Sequence, residues 1–222
     1  VPALAQLTSA LGPLQHQIRE HEVSDDWRER RLAEYSSDVI GGRIVVRPPW
    51  APAPDTALID VVLAESSAFG SGMHPTTRAC LELLLELEPA GSFADLGCGS
   101  GVLAIVAARL GWGPLVAVDV QALSVQTARE NAERNATEIE IDVADLLRVP
   151  APTANGFAAN VPAAVHASVV SGWGSAAPAV GLLSGFGEGE ADAVIAGYER
   201  CGLRERRRLV REGWVVAEVR RG

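Results

Sequence analysis

The chain has 222 residues, enough for one full α/β domain with a sizeable core and a small appendage, and its formal net charge of −9 argues against broad electrostatic capture of nucleic acid. No run of about 18 apolar residues is free of charges or turn residues, and no basic stretch leads into an apolar, cleavable segment. A soluble, cytoplasmic protein without a membrane span or secretory signal is therefore expected. All 19 cationic residues are Arg, a bias of base composition more than of function. Cys80, Cys98 and Cys201 are odd in number and widely spaced, which suits neither a disulfide framework nor a zinc site, so no metal is expected.

Residues 1–22 alternate apolar and small side chains around a Gly12-Pro13 break and suit a short helix or partly ordered arm, with His16 and His21 as surface residues. Ser24-Asp25-Asp26 then offers an N-cap, with acids ahead of bases from Trp27 to Tyr35, which predicts a helix. Gly41-Gly42 opens a strand at Arg43 to Arg47, ended by the prolines of 48–54, since proline supplies no ladder donor. These features set residues 1–56 apart as a helical arm, short strand and Pro-rich linker ahead of a domain over 57–222. Leu58 to Leu63 is that domain's first strand, and an irregular segment, Glu65 to Thr77, follows it.

From Thr77 to Glu88, Cys80, Leu81, Leu84, Leu85 and Leu87 form one broad apolar face, an amphipathic helix with Pro75 near its start. Beyond residue 92 strands and helices alternate. Strands are expected at Phe93 to Leu96, Leu115 to Asp119, Glu138 to Val143, Gly156 to Asn160 and Val180 to Ser184. Helices are expected at Val102 to Leu110, Leu123 to Asn135 and Ala163 to Val170. After a glycine-rich turn comes a helix from Ala191 to Cys201 and then a hairpin, Leu203 to Val210 and Trp214 to Val219, around the three-residue loop Arg211-Glu212-Gly213. The alternation implies a mostly parallel sheet closed by an antiparallel element. The basic run Arg204 to Arg208 either meets an acidic partner or is a solvated strand face.

The chemistry-bearing stretch is Asp95-Leu96-Gly97-Cys98-Gly99-Ser100-Gly101, where a strand runs through three alternate glycines into an Ala-rich helix. A dinucleotide fingerprint, Gly-x-Gly-x-x-Gly/Ala, would put its last small residue at Val102, which does not fit. Asp119, at the end of the next strand, can accept both hydroxyls of a ribose, and on position alone it suits either a dinucleotide or another nucleoside cofactor. An ordinary tight turn for the glycines, and a helix cap for Asp119, are the structural alternatives.

Asp95-x-Gly97-x-Gly99-x-Gly101 resembles the first motif of class I S-adenosylmethionine-dependent methyltransferases. Together with Ala68-Phe69-Gly70-Ser71-Gly72-Met73-His74-Pro75-Thr76-Thr77, Thr127 to Asn135 and Ala159-Asn160, it resembles the PrmA family, methyltransferases of ribosomal large-subunit protein eleven. The resemblance runs from about residue 25 to the C-terminus. It implies a Rossmann-like class I methyltransferase fold, with a mostly parallel seven-stranded sheet, a C-terminal antiparallel hairpin and helices on both faces. It also implies S-adenosylmethionine as cofactor.

By the same resemblance Phe69, Thr76, Thr77, Asp95, Gly97, Gly99, Gly101, Asp119 and Asn160 would hold the cofactor, and Asn160 would also be catalytic. Phe69 would face the sulfonium, unless it anchors its loop, and His74 would shape the loop more than act as a base. Transfer to a protein amino group gives Asn160 a role: a neutral amide oxygen can orient an amine N–H, whereas a carboxylate would hold it as ammonium. Asn160 can alternatively cap the next helix. The family's N-terminal substrate domain has no room in the about 22 residues ahead of the matching region. The acceptor is then a protein, ribosomal by analogy, or a small molecule; a catalytically silent binding module is the reading from another class.

Overall fold

The computed structural model describes residues 37–54, 58–64, 74–173 and 177–222. The helices expected before residue 36, and the segment 65–73 with Phe69, lie outside these. The described residues all belong to one compact unit, Ser36–Gly222.

A small sheet comes first: β1 (Asp38–Ile40), β2 (Ile44–Arg47) and β3 (Ile59–Val62), in that order. β1 and β2 are antiparallel, joined by a turn in which Gly41 and Gly42 sit at φ +56° and +64° and Arg43 N–H donates to Ile40 O at 3.1 Å. Two consecutive residues at positive φ are what a tight hairpin turn needs, and glycine supplies them without strain. The glycine pair is thus a turn between strands, and β1 is a strand that sequence periodicity passes over because it is only three residues long. β2 and β3 are parallel. Arg47 grips both oxygens of Asp60 at 2.7 Å and donates to Ala51 O at 2.6 Å, which pins the Pro-rich stretch to its own strand pair.

The main sheet has seven strands: β4 (Phe93–Leu96), β5 (Leu115–Asp119), β6 (Glu140–Val143), β7 (Gly156–Asn160), β8 (Val180–Gly187), β9 (Leu203–Arg211) and β10 (Trp214–Arg221). Their order is β6-β5-β4-β7-β8-β10-β9. The first five are parallel, and β10 runs antiparallel to both of its neighbours. Helices α1 (Pro75–Leu84), α2 (Val102–Leu110), α3 (Ala122–Arg134), α4 (Ala163–Trp173) and α5 (Glu188–Glu199) cover it.

Strand residues alternate between two cores, as the period of two requires. Ala158 joins the core built with Leu81 and Leu84 of α1 and Ile105 of α2, while its neighbours Phe157 and Ala159 join the core built with Val169 of α4 and Tyr198 of α5. Burial on both faces explains why β4 and β7 read as continuous apolar runs instead of alternating ones.

Several boundaries differ from the periodicity, most of all in α1, β8 and α5. α1 starts at Pro75, with His74 as N-cap, and ends at Leu84, where Glu86 N–H to Leu83 O and Leu87 N–H to Leu84 O tighten the last turn. The expected turn after Ser184 is strand: β8 continues to Gly187 against β10, through a bulge between Val215 and Ala217. α5 then begins at Glu188, three residues early, where Gly187 N–H donates to Glu190 Oε2.

The basic run lies on edge strand β9 and meets acids of its own chain. Arg207 pairs with Glu86, Arg211 with Glu82 at 2.9 Å, and Arg208 with Asp192 and Glu205 at 2.9 and 2.7 Å. These exposed pairs contribute up to about 1 kcal/mol each, and they tie α1 and α5 to a strand edge whose charge discourages further pairing.

Candidate functional site

Strand order reverses between β4 and β7, because β4 connects through α2 to β5 on one side while β7 flanks it on the other. At such a point the connections leave in opposite directions and open a crevice at the carboxyl ends of the strands. A cavity of about 780 Å³ lies there, lined in turn by Asp145 after β6, Asp119 of β5, Gly97 after β4, Asn160 of β7, Gly185 of β8 and Trp214 at the start of β10.

The glycine loop is shaped by backbone conformation. Gly97, Gly99 and Gly101 take φ of +77°, +53° and +80°, an alternation that side-chain-bearing residues resist, and a Cβ on Gly97 would stand 2.3 Å from Val161 Cγ1. The Gly99 N–H is donated to Asp119 Oδ2 at 2.9 Å, and Asp119 Oδ1 accepts the Gln121 N–H at 2.9 Å. Asp119 therefore both fixes the loop and lines the cavity.

Asp95, fully buried beneath the loop, accepts the Ala104 N–H at 3.1 Å through Oδ2, while Oδ1 has no partner. Burial pushes its carboxyl up to about 7; the Ala104 N–H opposes this, and the Asp119 charge adds to it.

At the other end a chain of three hydrogen bonds sets one amide. Thr76 N–H donates to His74 Nδ1 at 3.3 Å, so that nitrogen is an acceptor, and the Thr76 hydroxyl, 2.8 Å from it, must donate as well. Thr76 Oγ1 is then the acceptor for Asn160 Nδ2 at 3.2 Å. The amide of Asn160 is thereby oriented, and its Oδ1 is left buried without a partner. The His74 ring meets the Trp214 ring edge-on, centroids 5.5 Å apart, at the same wall.

Thr76, Gly97, Gly99, Asp119 and Asn160 all line the cavity. Thr77, Asp95 and Gly101 lie in the layer behind it: Thr77 is buried in α1, and Gly101 is the N-cap of α2, where a Cβ would come within 3.1 Å of Ala128. Phe69 is outside the described residues. Of four buried side-chain polar atoms without a partner among the described residues, Thr77 Oγ1, Asp95 Oδ1 and Asn160 Oδ1 belong to this group, and only Trp112 Nε1 lies elsewhere.

Other residues of the site escape sequence reasoning. Asp145 stands just past a strand end as Asp119 stands at one, a signal that could have been read. Asn131, fully buried, accepts the Ala64 N–H at 3.1 Å and donates to Ser100 O at 3.0 Å, so it joins the exit of β3 to the glycine loop. Asn135 pairs with both backbone groups of Val62 in the manner of a neighbouring strand. Trp214 reaches the cavity only because β10 is antiparallel. Among the described residues no group of His, Cys, Asp and Glu side chains is arranged to hold a metal ion, and no helix is long and apolar enough to cross a membrane.

Comparison with known proteins gives a consistent result. The family model described as ribosomal protein L11 methyltransferase (PrmA) matches residues 2–222. The ribosomal protein L11 methyltransferase of Burkholderia multivorans is 38% identical over 191 residues, 82% of this chain and 61% of that protein. That of Burkholderia cenocepacia is 39% identical over 146 residues, 64% of this chain and 48% of that protein. The chain thus spans about three fifths or less of the length of these curated relatives. Among solved structures, the ribosomal protein L11 methylase of Lactobacillus delbrueckii subsp. bulgaricus superposes with a TM-score of 0.71 at 23% identity, covering 84% of this chain and 99% of that one. A Pyrococcus abyssi tRNA (uracil-54, C5)-methyltransferase in complex with S-adenosyl-L-homocysteine gives 0.54 at 19% identity, covering 64% and 38%. At these identities the structural likenesses establish the fold: a Rossmann-like methyltransferase fold with a mostly parallel seven-stranded sheet and a C-terminal antiparallel hairpin.

Proposed function

Because the chain belongs to the PrmA family of ribosomal protein L11 methyltransferases, we propose that it binds S-adenosylmethionine in this cavity and transfers the methyl group to a protein amino group. The observation that carries the reading is the oriented amide of Asn160, whose buried oxygen lacks a partner beside the glycine loop.

The residues present fit the cofactor. Among the described residues Asp119 and Asp145 are the charged residues of the lining, and no Arg lines it. Such a cavity suits a ligand with a cationic sulfonium and ammonium far better than a diphosphate. The Gly99 amide, which a phosphate would need, is already taken by Asp119. The remaining acceptor capacity of the Asp119 carboxylate serves the ribose hydroxyls. Val120, Leu123 and Leu146 give an apolar slot for the adenine between β5 and β6. Of the orphaned oxygens only that of Asn160 belongs to a residue of the lining; left unpaired in a buried place it costs about 1–3 kcal/mol, and a polar group of a ligand recovers that.

S-adenosylmethionine, when bound, supplies an electrophilic methyl carbon on sulfur. The chain's own task is to present an amine with a free lone pair. A lysine amine, with a pKa of about 10.4 in water, arrives mostly as ammonium. The wall made by Trp214, His74 and Pro162 favours the neutral form by excluding water, and Asn160 Oδ1 accepts one N–H of that neutral amine and turns its lone pair along the line of attack. A carboxylate at 160 would do the opposite. Rate then comes from alignment.

A ribosomal protein as acceptor places the reaction in the cytoplasm. The test is methyl transfer from labelled cofactor, offered in parallel to purified L11-type ribosomal protein and to a pool of small amines, together with calorimetry of S-adenosylhomocysteine binding. Label on a protein amino group is the expected result. Label on small amines alone would replace the acceptor, and no binding would sink the cofactor assignment.

A further inference from the structure

His166, on α4, is 2% exposed and takes no part in the cavity's lining, yet its ring is tied to the backbone that carries Asn160. Nε2 lies 3.1 Å from Val161 O and 3.0 Å from Ser184 O. Carbonyls only accept, so Nε2 carries the hydrogen and shares it between them. Nδ1, 2.8 Å from the Tyr198 hydroxyl of α5, then accepts the phenolic O–H. Both ring nitrogens are used by a single neutral tautomer.

We propose that His166 is a positioning residue for methyl transfer: its imidazole locks the end of β7 against β8 and so sets where the Asn160 amide stands. The inference rests on the reading of the cavity as a methyl-transfer site.

Three features of the packing support it. Val161 directly follows Asn160, and its own N–H donates to Ser184 O at 3.1 Å, the same carbonyl that His166 binds. Ser184 Oγ in turn donates to Val215 O at 2.9 Å, next to Trp214. One ring therefore reaches the three strands that bring Asn160, Gly185 and Trp214 to the acceptor end. Gly185, at φ +92°, lets the two backbones close: a Cβ there would stand 2.3 Å from Val161 O. The backbone of β8 blocks movement of β7 towards it, and the imidazole opposes movement away. A leucine at 166 could fill the volume but would withdraw the donor from both carbonyls, whose loss costs more than packing returns.

The titratable neighbours do not compete for the ring. Tyr198 faces Nδ1, Cys201 lies beyond it, and Glu190 and Arg200 line the groove between α4 and α5 of which His166 forms part. Protonating Nδ1 would turn an N–H against the Tyr198 oxygen and deprive its hydroxyl hydrogen of this acceptor, and burial lowers the imidazole to about 4.

The test compares His166→Leu and His166→Gln with the wild type. Turnover of His166→Leu is expected to fall about ten- to a hundredfold, the scale of a displacement of roughly 1 Å at the reacting centre. Its calorimetric affinity for S-adenosylhomocysteine should stay within about twofold of the wild type, because the lost interaction serves alignment and not cofactor binding. Glutamine, with a donor and an acceptor on one side chain, should recover most of the loss. Equal turnover in wild type and His166→Leu overturns the proposal, as does a folded His166→Gln no better than His166→Leu.

Imidazole ¹⁵N spectra of the wild type give a readout that needs no activity and no variant. The Nε2–H tautomer should persist unchanged from about pH 8 to pH 5. Titration of His166 near its ordinary value would overturn the proposal even in an active enzyme. A wild type that neither binds S-adenosylhomocysteine nor transfers methyl would instead refute the functional reading.

Discussion

Asp119 Oδ2 lies 2.9 Å from the Gly99 nitrogen, so a strand-end carboxylate closes the very loop that presents its backbone to the cavity. Cofactor affinity should depend on it through both loop shape and ribose contacts. Asp119→Ala is expected to weaken S-adenosylhomocysteine binding by about 2–4 kcal/mol, the sum of one or two charged hydrogen bonds, and Asp119→Asn by less. Calorimetry of the two variants checks this, and unchanged affinity in Asp119→Ala would refute the ribose role.

The relay from His74 through Thr76 to Asn160 predicts a different phenotype. Thr76→Val keeps the shape but removes the hydroxyl, which frees the Asn160 amide to turn its NH₂ towards the acceptor. Turnover should drop about tenfold, or about 1.4 kcal/mol, with cofactor affinity nearly unchanged, and Thr76→Ser should restore it. Asn160→Asp should be worse at neutral pH and recover partly at high pH, because a carboxylate beside the amine stabilises its ammonium. Steady-state kinetics between neutral and alkaline pH separate these outcomes.

Asn131 ties Ala64 to Ser100 from within α3. Asn131→Leu should cost about 2–4 kcal/mol by stranding one donor and one acceptor, a fall in Tm of roughly 5–15 °C for a unit of this size. It should also weaken cofactor binding, because the loop loses one of its supports. A thermal melt and a titration of the same sample test both effects.

Asp95 gives a pH signature with a definite sign. Its folded-state pKa is raised from 3.8 to about 7, so the native state binds the proton more tightly than the unfolded chain does. The stability this group favours is complete below its unfolded value, declines as pH rises from about 4 to 7 and is fully lost above that. Asp95→Asn removes the dependence, since an amide has no proton to lose. The Tm of the variant relative to the wild type should therefore rise as pH goes from about 4 to 8; a flat difference would contradict the buried, partly neutral acid.

Much of the architecture is legible in the residues. The glycine spacing, the acid 20 residues beyond Gly99 and the Asn that ends the β7 run are local signals. They lie at strand ends, where the chain must turn and side chains must serve the crevice. β1 is too short to show a period, and the extension of β8 past Ser184 hides behind glycines that usually mark turns. His166 carries no readable signal, and Asn131, though inside the Thr127 to Asn135 segment of the family resemblance, shows no role there, because their partners, Ser184 and Ala64, are brought to them only by the strand order and by β3. Trp214 depends on the same long-range fact, the antiparallel insertion of β10 between β8 and β9.

The most direct test is single-turnover transfer from tritium-labelled S-adenosylmethionine to purified L11-type ribosomal protein by the wild type and by Asn160→Ala, with cofactor affinity measured on both. Label on a protein amino group is expected in the wild type, with a loss of about a hundredfold in Asn160→Ala at similar affinity for S-adenosylhomocysteine. A wild type that binds the cofactor but labels no amino group, or an Asn160→Ala variant that transfers methyl as fast as the wild type, would contradict it.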